Sequence, residues 1–320
     1  MYASLAATAA CGGSPVKPPP ALSITCPLNV STQASTGQTA VPVSFPPPTV
    51  SGGRQPVTTS CTPASGASFE IGDTRVSCSV SDAAQQSATC SFTVTIQAPP
   101  PPPKLSLTRF MAFGDSLTEG KVGLAYPTLV FPTSYTLKLE ALLETRYTDQ
   151  APSIVVVDEG LGGERAVDAV SSGRFAQVLN ADQPQVLLLM DGANDLLDGG
   201  AAAIPDVIKA LDAMGSKAAG RGVPVFLATL PPENPQGRNG SAATAVTPLN
   251  AQIANLAAAR QWTLVDVNAA FNGDLGLIGP DGLHPTDAGY DVMAHAFFDR
   301  IVAKLEMPQA VYNQSFTTSR

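Results

Sequence analysis

The chain has 320 residues and is acidic, with 26 aspartates and glutamates against 18 lysines and arginines and a formal net charge of −8. A net negative charge argues against nucleic acid or an anionic membrane surface as a partner. The sequence contains no apolar run of about 18 residues, the length that a membrane-spanning helix requires. The chain is long enough for two domains.

Charge and cysteines are both unevenly distributed. Residues 1–104 carry three acidic and four basic side chains, which leaves 23 acidic and 14 basic side chains for the rest. All five cysteines lie in the first 90 residues, and four share one segment rich in threonine, serine and valine: Cys26, Cys61, Cys78 and Cys90. This pattern predicts disulfides and export to an oxidising compartment. Zinc is the competing interpretation, but there is no CxxC pair and both histidines lie far away.

Residues 1–20 have the composition of an export segment followed by a spacer. Small apolar residues lead to Cys11 and two glycines, which resembles the end of a bacterial lipoprotein signal peptide with Cys11 as the lipidated residue. No basic residue precedes the apolar part, and Thr8 stands where such motifs prefer leucine. The alternative is an ordinary N-terminus with a free cysteine. The proline-rich residues 14–20 predict an extended tether, so a lipid anchor at Cys11 is the one membrane contact that the sequence indicates.

Residues 21–98 alternate short β-type runs with turn residues. The predicted strands are Leu22–Thr25, Val41–Phe45, Val57–Cys61, Arg75–Val80 and Ser91–Ile96. In the last strand, alternation places Phe92, Val94 and Ile96 on one face, as a half-buried strand requires. The pattern predicts a small antiparallel sandwich whose core is marginal without cross-links. Four cysteines allow three disulfide pairings, and the sequence does not choose among them.

The second half of this segment closely resembles the HYR (hyalin repeat) module. The resemblance runs from Thr62 to Ile96 and rests on residues 62–66, on residues 69–82, which include Cys78, and on residues 90–96, which begin with Cys90. It implies an immunoglobulin-like, extracellular module without chemistry of its own, for which a cell-surface partner is the expected role.

A proline run marks the domain boundary. Residues 99–104 contain five consecutive prolines and predict a stiff polyproline II spacer. Beyond it, residues 105–306 alternate strands and helices, and residues 307–320 form a tail without clear periodicity. The predicted strands are Arg109–Phe113, Ile154–Val157, Val186–Met190, Val223–Thr229 and Thr263–Val267, and the predicted helices are Tyr135–Tyr147, Pro205–Gly220, Leu249–Arg260 and Thr286–Leu305. Five apolar strands joined by helices predict a five-stranded parallel sheet covered on both faces, a three-layer α/β/α sandwich of the flavodoxin-like type.

Glycine-containing motifs follow the first two strands of this domain. The motif Gly-Asp-Ser ends the first strand, so Ser116 is predicted at the carboxyl edge of the sheet, where open α/β folds bind ligands. The second strand leads into three glycines within four positions, ending at Gly163, where backbone N–H groups can approach a ligand closely. A dinucleotide fingerprint is excluded because its last glycine would fall at Arg165. Taken singly, each motif is also typical of an ordinary turn.

Two further motifs offer a side-chain donor and an acid–base pair. Asn194 follows the third strand within Gly-x-Asn-Asp, and its amide can donate to a developing oxyanion. In Asp-Gly-Leu-His-Pro, the carboxylate of Asp281 lies three residues before His284, so it can bind Nδ1 and fix the tautomer of the ring. Pro285 suits the first turn of the helix that follows. His295 lies inside that helix and receives no role.

Together the four motifs resemble the sequence blocks of the GDSL, or SGNH, hydrolase family over residues 105–306. The resemblance implies Ser116 as the nucleophile, His284 as the general base and Asp281 as the carboxylate that orients it. It implies an oxyanion hole made by the backbone N–H groups of Ser116 and Gly163 and by the Asn194 side chain. It calls for no metal and no organic cofactor.

One family position departs from the usual pattern, and a related fold is excluded. Family members usually have asparagine where this chain has Asp158, so the local role of that position stays open. The α/β-hydrolases share the order Ser, Asp, His, but they require Gly-x-Ser-x-Gly. Here Leu117 and Thr118 follow Ser116, and the next glycine is Gly120.

The sequence therefore predicts an extracellular esterase, secreted or tethered to the cell surface. Its substrates would be short-chain acyl, lipid or acetyl-carbohydrate esters, on a small molecule or a polymer, and the sequence does not fix the acyl chain length. The alternative is a cell-surface binding protein whose hydrolase domain is inert, and the complete set of motif residues speaks against it. Residues 231–247 are polar and rich in proline and glycine, and they predict a loop near the site.

Overall fold

The computed structural model describes residues 20–124, 126, 128–130 and 133–308. The chain divides between Pro101 and Pro102 into two compact units. The lipoprotein-like segment with Cys11, the tether up to Pro19 and residues 309–320 of the tail lie outside the described residues. No helix within the described ranges is both long and apolar enough to span a membrane.

The N-terminal unit is all-β in its described part. Its strands are β1 (Ser23–Thr25), β2 (Val30–Gln33), β3 (Ala40–Pro42), β4 (Thr49–Ser51), β5 (Val57–Thr62), β6 (Ser68–Glu70), β7 (Gly72–Asp82) and β8 (Ser87–Gln97). They form one four-stranded sheet in the order β2-β8-β7-β5 and two-stranded sheets β1-β4 and β3-β6. This architecture agrees with the predicted immunoglobulin-like sandwich. One pairing differs from the prediction, because β2 runs parallel to β8 while the other pairs are antiparallel.

The alternation predicted for the last strand of this unit is confirmed. Phe92, Val94 and Ile96 are all buried, and Val76 on β7 packs in the same core. The strands β2, β4 and β6 were not predicted, because each has only three or four residues and consists largely of small polar side chains without a clear period.

The predicted disulfides are present, with one of the three pairings. Cys26 is bonded to Cys90 and Cys61 to Cys78. In the strand register Cys78 lies directly opposite Cys61 on one side and directly opposite Cys90 on the other. The two bonds are therefore neighbours against one face of the core.

The C-terminal unit alternates strands with helices. Its strands are β9 (Arg109–Gly114), β10 (Lys121–Val122), β11 (Thr128–Leu129), β12 (Val155–Gly160), β13 (Val186–Met190), β14 (Val225–Ala228) and β15 (Thr263–Val265). Its α-helices are α1 (Ser116–Glu119), α2 (Tyr135–Arg146), α3 (Ala166–Ser171), α4 (Arg174–Asp182), α5 (Ala193–Gly199), α6 (Ile204–Ala219), α7 (Ala243–Arg260), α8 (Val267–Ala270) and α9 (Asp287–Leu305). Short 3₁₀ helices lie at Ala151–Ser153, Gly200–Ala203, Gly240–Ala242 and Leu275–Leu277.

The main sheet of this unit is parallel, with the strand order β12-β9-β13-β14-β15. This is the flavodoxin-like order, and the predicted three-layer α/β/α architecture is confirmed. Helices α2 and α9 pack together on one side of the sheet, while α4, α6 and α7 belong to the other layer. Every residue of the central strand β13 is buried, as its continuous apolar run requires.

The largest differences from the predicted boundaries lie at β12 and α7, and several short helices were not predicted. Strand β12 continues to Gly160 rather than ending at Val157, because it is an edge strand whose polar residues Asp158 and Glu159 remain partly accessible. Helix α7 begins at Ala243, six residues early, and contains Pro248, so only the first part of the predicted loop 231–247 is irregular. The short helices α1, α3, α4, α5 and α8 lie in stretches that are too brief for a helical period to be recognised.

The strand register aligns the segments that carry the sequence motifs. Gly114 at the end of β9 lies opposite Gly160 of β12 and opposite Met190 of β13. A side chain at Gly114 would meet the Met190 carbonyl oxygen at 2.0 Å, so only glycine fits at this junction. Gly114, Gly160 and Met190 therefore lie side by side at the same edge of the sheet. Ser116, Gly163 and Asn194 follow these residues after two, three and four positions, respectively.

Candidate active site

Ser116 is the first residue of helix α1, directly beyond β9. The side chain of Asp115 caps this helix by accepting a hydrogen bond from the N–H of Leu117 at 2.9 Å. The helix ends after one turn at Gly120, which has the left-handed φ of 90°. The N–H of Ser116 lies in the first turn, where a helix offers no internal acceptor, and its side chain is buried.

Ser116, His284 and Asp281 form a continuous chain of hydrogen bonds. The Oγ atom of Ser116 lies 2.7 Å from Nε2 of His284, and Nδ1 of His284 lies 2.6 Å from Oδ2 of Asp281. When Nδ1 carries the ring proton and donates a hydrogen bond to Asp281, Nε2 is left as the acceptor for the Ser116 hydroxyl. The structure therefore brings together the three residues that the sequence motifs singled out.

The carboxylate of Asp281 is held in place by its own turn. Its Oδ1 atom accepts hydrogen bonds from the N–H groups of Leu283 and His284, both at 3.1 Å. Burial alone would raise the pKa of Asp281, but the hydrogen bond and the charge of His284, together with these two N–H groups, outweigh it and hold the pKa below its usual range. Asp281 is thus stabilised in the ionised form that can orient an imidazole.

Two loops support this turn, and the sequence had singled out neither contact. The N–H of Asn239 donates to the Asp281 carbonyl at 2.7 Å, and its side-chain amide reaches Oδ2 of the same residue at 3.4 Å. On the other side, a side chain at Gly123 would meet the His284 carbonyl oxygen at 2.4 Å. The polar composition of residues 231–247 was the only signal, and it predicted a nearby loop without identifying Asn239.

The segment after β12 is tied to helix α5. The Nδ2 atom of Asn194 donates to the Glu164 carbonyl oxygen at 2.9 Å, which places the amide beside Gly163. The carboxylate of Asp195 accepts hydrogen bonds from the N–H groups of Ala166 and Val167 at the start of α3. Asn194 lies in the first turn of a helix rather than in a loop, and its amide keeps a second N–H for another acceptor.

Gly163 occupies an open position. It is exposed and has a left-handed φ of 87°, and no atom lies within 4 Å of the place where a Cβ would stand. The structure joins it to Asn194 through Glu164, the next residue in the chain. A backbone N–H in such an open turn is accessible to a ligand oxygen.

The side chain of Asp158 serves the local structure. Its Oδ2 atom accepts a hydrogen bond from the hydroxyl of Thr136 at 2.7 Å, and its Oδ1 atom accepts one from the N–H of Gly160 at 2.9 Å. These contacts join α2 to the end of β12. Burial raises the pKa of Asp158, although both hydrogen bonds act in the opposite direction.

Two carboxyl groups are buried just beyond the ends of the adjacent strands β9 and β13, those of Asp115 and Asp191. Burial raises the pKa of Asp115 to about 6, while the Leu117 N–H and the charge of His284 lower it. Burial and the negative charge of Asp115 together hold the pKa of Asp191 well above its usual range. Because like charges in one buried site disfavour each other, the pair carries fewer than two negative charges at mildly acidic pH.

His295 lies apart from this constellation. It is exposed on α9, and its Nδ1 atom lies 2.8 Å from the Asp291 carbonyl oxygen.

Comparisons with known proteins find a family match in each unit. The sequence model of the GDSL-like lipase/acylhydrolase family matches residues 112–292, and that of the HYR domain matches residues 16–96. No curated protein sequence matches the chain.

Solved structures share the fold of the C-terminal unit. A catalytic mutant of an acetylxylan esterase from Geobacillus stearothermophilus is 20% identical, with a TM-score of 0.50 over 62% of this chain and 94% of that chain. An alpha/beta hydrolase enzyme from the metagenome of Lake Arreo, Spain, is 21% identical, with a TM-score of 0.49 over 61% of this chain and 94% of that chain. At these identities the likeness concerns the fold. The family match covers more than half of the chain, and the chain therefore belongs to the GDSL-like lipase/acylhydrolase family and is a carboxylic ester hydrolase.

Proposed function

We propose that the protein hydrolyses carboxylic esters through an acyl-enzyme on Ser116. The observation that carries this proposal is the unbroken chain of short hydrogen bonds from Ser116 through His284 to Asp281. A serine hydroxyl is a weak nucleophile by itself, and a neutral imidazole within hydrogen-bond distance is the group that activates it.

In the first half of the reaction, the Ser116 Oγ atom attacks the ester carbonyl while Nε2 of His284 takes its proton. Asp281 stabilises the resulting imidazolium through Nδ1. The ester carbonyl oxygen becomes an oxyanion, which accepts hydrogen bonds from the backbone N–H groups of Ser116 and Gly163 and from the second amide N–H of Asn194. These donors are fixed before the reaction by α1 and by the Asn194–Glu164 contact, so little reorganisation is needed as the charge develops.

In the second half, the tetrahedral intermediate collapses and the imidazolium of His284 gives its proton to the leaving alcohol. Water then takes the place of that alcohol. His284 removes a proton from the water, which attacks the acyl group, and collapse of the second intermediate releases the carboxylic acid and restores the Ser116 hydroxyl.

Short-chain acyl esters, lipid esters and acetylated carbohydrates are the proposed substrate classes. Acetylated xylan belongs in the first screen because acetylxylan esterases share the fold. We further propose an extracellular location, which two disulfides and an N-terminal HYR domain support. The lipid anchor at Cys11 and a cell-surface partner for the HYR domain stay predictions from the sequence.

The decisive experiment compares the purified chain with its Ser116→Ala variant on p-nitrophenyl acetate, with a fluorophosphonate as covalent probe. We expect hydrolysis by the parent chain, loss of hydrolysis in the variant, and a phosphonylated peptide that contains Ser116. Ser216→Ala, on the exposed side of α6, is the matched control and should keep full activity. Turnover that survives Ser116→Ala would overturn the assignment, and a parent chain without turnover or labelling would favour a surface-binding protein.

A further inference from the structure

Arg174, the first residue of α4, contacts the two segments that lead to Ser116 and to Gly163. Its Nη2 atom lies 3.4 Å from the carbonyl oxygen of Gly114, two residues before Ser116. Both Nη1 and Nη2 reach the carbonyl oxygen of Glu159 on β12 at 3.2 Å. The guanidinium also stacks on the ring of Phe113, 4.2 Å from its centroid. One side chain therefore joins the ends of β9 and β12.

The strongest contact of Arg174 is with Glu164, the residue after Gly163. Its Nε atom lies 2.9 and 2.7 Å from the two carboxylate oxygens, and its Nη2 atom lies 2.5 Å from Oε2. Both side chains are largely buried, with 18% exposure for Arg174 and 8% for Glu164. Removal of one partner of a buried ion pair leaves an uncompensated charge. This costs more folding free energy than the intact pair contributes.

The backbone of Glu164 matters as much as its charge. Its carbonyl oxygen accepts a hydrogen bond from Nδ2 of Asn194, and its backbone nitrogen is bonded directly to the carbonyl carbon of Gly163. The position of Glu164 thus sets the orientation of the Asn194 amide and the path of the chain at Gly163. Because Arg174 holds the Glu164 side chain, it positions both the Gly163 N–H and the Asn194 amide through Glu164 rather than by its own contact with the substrate.

The electrostatic consequence has a definite sign. A buried carboxylate beside Gly163 repels an oxyanion that forms at the neighbouring N–H, while a neutral ester in the ground state is scarcely affected. Arg174 supplies the compensating positive charge at hydrogen-bond distance. Loss of that charge should therefore raise the energy of the transition state more than that of the bound substrate.

We propose that Arg174 is a positioning residue for ester hydrolysis, which aligns the oxyanion donors Gly163 and Asn194 through Glu164 and neutralises the charge of Glu164. This inference rests on the proposed function, since it presupposes that those two groups bind the oxyanion.

The test measures kcat and KM for Arg174→Gln after the active sites have been counted with a fluorophosphonate. We expect kcat per active site to fall by about 10- to 100-fold, with KM within about twofold of the parent value. The rate of phosphonylation should fall in parallel, because the phosphonyl oxygen occupies the same site. Arg174→Lys keeps the charge but loses the bidentate geometry, so it should restore part of the loss.

Two further variants separate positioning from a purely structural role. Glu164→Gln combined with Arg174→Gln removes the unpaired charge next to Gly163 and should recover much of the kcat lost in Arg174→Gln alone. Glu159, whose Oε2 atom lies 3.4 Å from Nη1 of Arg174, keeps its charge in both variants, so the comparison isolates the charge of Glu164. Arg260→Gln is the matched control, because Arg260 forms a similar two-pronged ion pair with Asp212 between α7 and α6. It should leave kcat per active site unchanged.

The inference is overturned if Arg174→Gln lowers only the fraction of active sites and the thermal midpoint, with kcat per site unchanged. It is also overturned if the double variant is as slow as Arg174→Gln, since charge compensation would then be irrelevant. Failure of the proposed function is distinguishable, because Ser116→Ala and Asn194→Ala would then also leave turnover intact.

Discussion

The side-chain amide of Asn194 donates a hydrogen bond to the carbonyl oxygen of Glu164 at 2.9 Å and so joins the first turn of α5 to the segment that carries Gly163. One of its two N–H groups is committed to this contact. The other remains as a fixed donor, and its orientation is set by the protein rather than by the substrate.

Asn194→Ala is accordingly expected to lower kcat by about 10²–10³ while KM changes little, because the lost donor acts mainly on the transition state. The measurement is steady-state hydrolysis of p-nitrophenyl acetate. Asn180→Ala, at an exposed position of α4, serves as the control. An unchanged kcat would remove Asn194 from the oxyanion hole.

Asp281→Asn tests the orienting carboxylate. The amide can present its N–H to Nδ1 of His284, which then favours the tautomer that carries its proton on Nε2 and cannot accept from Ser116. We expect kcat to fall by about 10⁴, as where such a carboxylate has been replaced in other serine hydrolases. The fluorophosphonate should label Ser116 correspondingly slowly. Labelling at the parental rate would contradict the role given to Asp281.

Glu233 predicts a pH dependence of stability. Burial raises the pKa of its carboxyl group to about 7 from the ordinary value of 4.5, and the Ala242 N–H lowers it less. The folded state therefore keeps a proton that the unfolded state has already released, and this contribution to stability, complete below about pH 4.5, is lost as the pH rises through about 7.

Glu233→Gln should remove this pH dependence, because the glutamine side chain is uncharged at every pH and spares the folded state the buried negative charge that Glu233 carries above about pH 7. Near pH 8 the variant should unfold at higher urea concentration than the parent chain, and near pH 4.5 the difference should be much smaller. The single tryptophan, Trp262, packs against Gly215 in the C-terminal unit, so its fluorescence reports the unfolding of that unit. Glu144→Gln, at an exposed position of α2, is the control. The same difference at both pH values would refute the explanation.

The two disulfides lie in the N-terminal unit, and the C-terminal unit contains no cysteine. A chain that starts at Lys104 keeps the hydrogen bonds from the N–H of Ser106 to the Leu305 carbonyl oxygen and from the N–H of Met307 to the Lys104 carbonyl oxygen, which fasten both ends of this unit to each other.

We predict that this shortened chain folds and keeps most of its activity on small soluble esters. Dithiothreitol should not affect it, and in the full chain it should destabilise the N-terminal unit while turnover stays nearly intact. Esterase assays and circular dichroism with and without reductant measure this. Loss of activity on reduction would mean that turnover depends on the N-terminal unit.

The sequence predicted the positions of those site residues that directly follow a buried strand. The apolar runs of β9 and β13 are easily recognised, and parallel pairing forces the segments after them to one edge, so the placement of Ser116 and Asn194 could be predicted. The contact between His284 and Asp281 is local in sequence, and a short turn before a helix suffices to form it.

The supporting contacts could not be predicted in the same way. Asn239 and Gly123 reach the Asp281 turn from irregular loops, whose conformation has no periodic pattern and depends on the packed whole. Arg174 stands at the start of a nine-residue helix that the sequence analysis did not identify. Its contacts are long-range, and composition alone does not distinguish such an arginine from one exposed to solvent.

The hydrogen bond between Ser116 and His284 spans 168 positions of the chain. The imidazole belongs to the turn immediately before α9, the last helix of the described chain, and α9 packs on α2 and near β15. Contacts between such distant positions form late in folding because a large loop must close first. Recovery of esterase activity after dilution from denaturant should therefore lag behind the return of the helical circular dichroism signal. The rate at which turnover recovers then measures how fast α9 docks on the rest of its unit.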